Sequence, residues 1–78
     1  MSTYYSPERI AAEWKAVETY HRLTGEHWLE ASRCVAAGDI EGMHDHEDWA
    51  RNYQRLGEIQ ERRAEAITRD EIPEGVVT

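Results

Sequence analysis

The stretch AAGDIE, residues 36–41, decides the fold of this chain because it separates two long helical patterns. Gly38 suits the left-handed position that closes a helix, and Asp39 suits the N-cap of the next one. A connection this short makes two long helices fold back antiparallel. The sequence therefore predicts one small domain over residues 1–78, with a helix over 7–37, a turn at 38–39, a second helix over 40–69 and a flexible tail over 70–78.

The first helix is predicted from its start signals and from a heptad pattern. Ser6 can cap the helix, and Pro7 suits the first helical position. Apolar or semi-polar residues then recur in steps of four and three, at positions 10, 14, 17, 21, 24, 28, 31 and 35. Gly25 does not shift the phase, so we expect an unbroken helix with an exposed glycine. The alternative is a three-helix bundle broken at Gly25.

The second helix shows the same alternation, and the short turn predicts how the two helices face each other. With the turn at Asp39, the numbers of facing residues should add up to about 78. Large side chains of the first helix then face small ones of the second: Trp14 opposite Ala64, His21 opposite Gly57 and Trp28 opposite Ala50. Alternation of this kind fills a helical seam without voids. The predicted fold is all-α, an antiparallel helical hairpin of two long helices.

Several apolar side chains, among them Leu29, fall outside this seam. Of these, we interpret Tyr20, Leu23, Trp49, Leu56 and Ile59 as protein-interaction residues. Trp49 and Leu56 are seven residues apart and therefore share a helix face. A short chain with this much uncovered apolar surface needs a partner. The sequence therefore predicts a homodimer that forms an antiparallel four-helix bundle with coiled-coil packing.

The charge of the chain narrows the class of partner. Sixteen acidic residues against nine Lys and Arg give a net charge of −7, and five of the acids lie in residues 39–48 without any Lys or Arg. This balance argues against direct nucleic-acid binding and against an anionic membrane surface. No apolar run is long enough to span a bilayer and no signal peptide is recognisable, so we expect a cytoplasmic protein.

The acidic segment can be interpreted in two ways. As a docking surface it would bind a basic protein surface, such as the nucleic-acid-binding face of another protein, through Glu41, Asp45, Glu47 and Asp48. As a metal or small-ligand site it would use Glu41, His44, His46 and Asp48. The positions opposite Glu41 are alanines, which cannot ligate, so we expect no metal and no cofactor.

Catalysis is not expected from this sequence. Cys34 and His44 should lie near each other on the hairpin, but no third group, oxyanion hole or pocket accompanies them. The leading prediction is a small acidic helical protein-interaction module, a homodimeric regulator or inhibitor that binds another protein. Chains of this kind are common among phage-encoded and accessory regulators. The alternative prediction is a metal- or small-ligand-binding helical bundle.

Overall fold

The computed structural model describes residues 4–71, which form two packed α-helices and no strand. Helix α1 spans Pro7–Ala36 and helix α2 spans Ile40–Thr68. Each helix ends one residue earlier than its sequence pattern predicts, and the predicted tail beyond residue 71 lies outside the described residues. The all-α helical hairpin is confirmed. Helix α1 continues through Gly25, so the alternative three-helix bundle is wrong.

The turn between the helices uses both of its predicted residues. Gly38 has φ +74°, the left-handed conformation that closes α1. The next amide, that of Asp39, donates to the carbonyl of Cys34 at 2.8 Å. The Asp39 carboxylate in turn accepts a hydrogen bond from the amide of Gly42 at 2.9 Å, which caps α2. Asp39 thus contacts the end of α1 through its amide and the start of α2 through its carboxylate. A turn this short fixes the register of the two helices.

Contacts along the hairpin agree with the predicted register. Near the open end, the Trp14 indole N–H donates to the Thr68 hydroxyl at 2.7 Å, one helical turn beyond its predicted partner Ala64. In the middle, a Cβ placed on Gly57 would lie 3.3 Å from the Cβ of Tyr20 and 3.4 Å from Cδ2 of His21. A methyl group at residue 57 would therefore be in tight contact with α1, because the two helix backbones approach each other closely there.

The core between the helices is small. Its apolar members are Val17, Ala31, Ala50, Ala64, Ala66 and Ile67. Ile67 is the one large side chain among residues 4–71 that is fully buried. Trp14 and Trp28, which the pattern assigns to the seam, lie at its edge and remain 37% exposed. Val35, a position of the heptad pattern near the turn, is 53% exposed, so the turn end contributes little to the core.

The hairpin is a thin slab, with extents of 53 × 21 × 13 Å. Its smallest dimension is close to the diameter of one helix, roughly 10–12 Å. Each helix is therefore covered by the other on one side and is open on the rest of its surface. Neither helix of the described chain combines the length and the apolar character required to cross a membrane.

Candidate functional site

The aromatic side chains outside the seam gather on one flank of the hairpin. The Tyr20 ring lies 6.3 Å from the Tyr53 ring, measured between centroids. His27 stacks on Trp49 at 6.0 Å and on Tyr53 at 5.5 Å, and Trp49 lies 5.7 Å from Tyr53. The four rings form a continuous surface contributed by both helices. We call this surface, with the flanking Leu23 and Leu56, the aromatic face.

The aliphatic members extend this face along both helices. Leu23 lies between Tyr20 and His27 on α1, one turn from each. Leu56 follows Trp49 by two helical turns on α2. Trp49 is 51% exposed and Leu56 is 36% exposed. The face is therefore apolar, accessible and formed by adjacent side chains.

A shallow open depression on α1 adjoins the Tyr20 end of the aromatic face. Its lining residues are Ala12, Lys15, Ala16, Thr19 and Tyr20. The small side chains at positions 12 and 16 leave room beside the tyrosine ring. This surface could receive bulky side chains of another molecule.

Of the apolar interaction residues predicted from sequence, Tyr20, Leu23, Trp49 and Leu56 lie on this one face. Ile59 is 48% exposed and lies three residues beyond Leu56, on a part of α2 that turns further away from α1. The sequence interpretation did not include His27 or Tyr53 among the interaction residues. The signal for both was present, because residues 20 and 27 are seven apart, as are residues 46 and 53.

The acidic segment is partly neutralised by its own neighbours. Arg51 lies 3.7 Å from a Glu47 carboxylate oxygen and 3.6 Å from one of Asp48. The Arg51 guanidinium also lies over the Trp28 ring, 5.9 Å from its centroid. His44 points to Glu47, with 3.4 Å between Nδ1 and Oε1. Two of the predicted docking acids are therefore engaged within α2.

The remaining acids of the segment differ in their roles. Asp39 is engaged as the cap of α2. Glu41 and Asp45 are exposed on the first turns of that helix. Asp48 is also exposed, but unlike Asp48 these two carboxylates form no ion pair among residues 4–71.

The four residues considered for a metal site point in different directions. Among residues 4–71, no group of three or more His, Cys, Asp or Glu side chains is arranged to hold an ion. His44 interacts with Glu47, whereas His46 turns toward α1 and places its Nδ1 2.9 Å from Nδ1 of His27. Residues two apart lie about 200° apart around a helix, which explains why the two neighbouring histidines diverge.

Cys34 has the surroundings of an unreactive thiol. Burial, together with the negative charges of Asp39, Glu30 and Asp45, raises the pKa of the Cys34 thiol. The thiolate is the nucleophilic form, so little of it is present at neutral pH. His44, the predicted partner, interacts with a glutamate instead. These contacts give no support to a nucleophilic pair.

A polar cross-link joins the helices beyond the Tyr20 end of the aromatic face, toward the open end of the hairpin. The Glu13 carboxylate accepts hydrogen bonds from Gln60 of α2 and from Arg9, the latter at 3.0 Å, and lies 3.4 Å from Arg63. Burial would raise the pKa of Glu13, but the hydrogen bonds from Gln60 and Arg9 and the charge of Arg63 outweigh it and lower that pKa. This carboxylate is therefore held ionised and stabilises the hairpin.

Comparisons of this protein with protein-family models, with curated proteins and with solved structures found no match.

Proposed function

We propose that this chain is a helical protein-interaction module that works as a homodimer, with the aromatic face as the contact between the two copies. The dimer would act as a regulator or inhibitor by binding another protein. The observation that carries this proposal is the collection of exposed apolar side chains from both helices on one flank. Exposed apolar surface that is contiguous marks an interaction site more reliably than scattered residues do.

The small core of the hairpin supports a need for a second copy. Ile67 is the one large side chain of the described chain that is fully buried, whereas Trp49 and Leu56 remain exposed. Burying one such side chain contributes about 1.5–3 kcal/mol. In a contact with two-fold symmetry, each side chain is buried once in each copy, so its stabilising free energy counts twice. The aromatic face can thus supply stability that the isolated hairpin lacks.

The shape of the hairpin also favours this arrangement. A slab 13 Å thick is a single layer of helices, whereas stable domains have two or more packed layers. Two hairpins that pack through their aromatic faces form a four-helix bundle. Every helix of the bundle packs against two neighbouring helices.

A protein bound by the dimer would then meet its acidic end. Glu41 and Asp45 are exposed there, and the segment 39–48 contains no Lys or Arg. Opposite charge raises the rate of association and selects among partners. The partner that fits this end is a protein with a basic surface, including one that binds nucleic acid with that surface.

The homodimer is tested by replacing Leu56 with glutamate. The Leu56→Glu variant places a carboxylate from each copy into the proposed contact, so we expect a monomer of reduced helicity. The matched control is Leu29→Glu. Leu29 is 52% exposed, but it lies two residues from both His27 and Ala31 and therefore faces away from the contact.

Light scattering coupled to size-exclusion chromatography measures the outcome at several micromolar concentrations. A wild-type dimer, a Leu56→Glu monomer and a Leu29→Glu dimer are the expected results. A wild-type protein that stays monomeric throughout this range contradicts the homodimer. A Leu56→Glu variant that remains dimeric places the contact on another surface.

A further inference from the structure

We propose that His27 and His46 form a binding site for a divalent transition-metal ion of tetragonal geometry, Cu²⁺ or Ni²⁺. The two histidines belong to different helices, and their Nδ1 atoms are 2.9 Å apart. His27 plays no part in the metal site considered from the sequence. Each copy contains a complete pair, so the site needs no second copy, but His27 belongs to the aromatic face that the proposed dimer would cover.

The separation of the two nitrogen atoms in the metal-free pair is close to the one that two ligands at a right angle require. Imidazole nitrogens lie about 2.0–2.1 Å from a bound divalent ion. At that bond length, nitrogens 2.9 Å apart subtend an angle of about 90° at the ion, whereas a tetrahedral angle would need about 3.4 Å. Right angles between nitrogen ligands are typical of Cu²⁺ and Ni²⁺, and tetrahedral angles are typical of Zn²⁺.

The metal-free pair must share one hydrogen between the two nitrogens. Each neutral imidazole has one N–H, so one Nδ1 donates and the other accepts at this distance. An ion replaces that shared hydrogen and needs both lone pairs directed at itself. Small rotations about χ2, which is a soft torsion for histidine, can direct both lone pairs toward a common point while His27 stays stacked on Trp49 and Tyr53. The spacing of the helices does not need to change.

Neighbouring aromatic rings hold the His27 imidazole in place, and the histidine pair remains accessible. His27 is stacked against Trp49 and Tyr53, which restricts the orientation of its imidazole. Both histidines are half-buried, and Trp49 beside them is exposed. In a single hairpin, an ion can therefore enter from the aromatic face and keep water in its remaining coordination positions.

The chain contains two further histidines that serve as internal controls. His44 lies at the acidic end, where it interacts with Glu47. His21 lies beside Gly57 on α1. Neither residue has another histidine among its described contacts. Variants at the four histidines therefore distinguish binding by the His27–His46 pair from binding by a single exposed imidazole.

Titration calorimetry with NiCl2 on tag-free protein tests the site, and Ni²⁺ is chosen because Cu²⁺ can oxidise Cys34. We expect one Ni²⁺ per chain. His46→Gln and His27→Phe should each lower the affinity by about tenfold or more, because each removes one of the two protein ligands. Phenylalanine keeps a ring against Trp49 and Tyr53. The double variant His21→Gln/His44→Gln should bind as tightly as the wild type.

Thermal melting gives a second readout that does not depend on the heat of binding. Ni²⁺ should raise the melting temperature of the wild type and of the His21→Gln/His44→Gln protein, and EDTA should reverse the rise. Folded His46→Gln protein should show no rise. Wild-type protein without stoichiometric Ni²⁺ binding, or His27→Phe and His46→Gln variants that bind as the wild type does, would overturn the proposal.

Discussion

Gly57 of α2 lies directly against Tyr20 of α1, so that a Cβ on the glycine would be 3.3 Å from the tyrosine Cβ. The tyrosine Cβ is attached to the α1 backbone, and it cannot move away without moving that helix. Gly25, by contrast, has no atom within 4 Å of the corresponding Cβ position. The two mid-helix glycines of the chain therefore differ in their reason for being glycine.

Alanine replacements at Gly25 and Gly57 should separate these two roles. Alanine is favoured over glycine inside a helix, so Gly25→Ala should raise the free energy of unfolding by about 0.5–1 kcal/mol. Gly57→Ala should give no such gain, because the added methyl group is in close contact with Tyr20. Urea unfolding at one protein concentration measures both. Equal gains would contradict the close approach of the helices at Gly57.

Replacing Gly38 tests the turn. Its φ of +74° is costly for a residue with a Cβ, although no atom lies within 4 Å of that position. We expect Gly38→Ala to lower the free energy of unfolding by about 1–2 kcal/mol through backbone strain alone. Gly38→Asn should lose less, because asparagine tolerates the left-handed conformation. Chemical denaturation distinguishes the two variants, and equal stabilities would argue against this turn geometry.

The lowered pKa of Glu13 predicts a specific loss of stability in acid. A carboxyl group with a lower pKa in the folded state stabilises the fold above its unfolded pKa, and this stabilisation disappears as the pH falls through the folded pKa. Glu13→Gln should therefore be less stable than the wild type at pH 7, by about 1 kcal/mol. The difference should shrink in acid, below about pH 4.

Thermal melts from pH 7 to pH 3 measure this effect. Glu18→Gln, at an exposed position on the same helix, is the matched control and should follow the wild type at every pH. A constant difference between Glu13→Gln and the wild type across the pH range would show that the carboxylate charge is not the stabilising feature.

The raised pKa of Cys34 predicts slow alkylation. At pH 8, iodoacetamide should react with the folded protein more slowly than with a cysteine in a short peptide, since less thiolate is present. Burial is the main cause, and the charges of Asp39, Glu30 and Asp45 add to it. Asp45→Asn removes one of these charges and should speed the reaction, whereas Asp48→Asn should not. Mass spectrometry of timed samples measures the rates.

Local signals in the sequence determined the helices, the turn and the register. Gly38 and Asp39 have the conformation and capping role that their residue types favour, because these preferences depend on neighbouring backbone atoms alone. A short turn then allows one register, so the spacing of the chain is enough to place Gly57 opposite His21. The end of each helix was predicted to within one residue.

The packing of the two helices decided which side chains share a surface. A heptad pattern identifies the residues that point to the partner helix, but residues beside the seam can lie on either flank, depending on how each helix is rotated about its axis. That rotation brings Tyr20 and His27 of α1 onto the same flank as Trp49 and Tyr53 of α2. It also turns His46 away from the acidic segment and toward His27. The aromatic face and the histidine pair are therefore properties of the tertiary structure, because each joins residues from both helices.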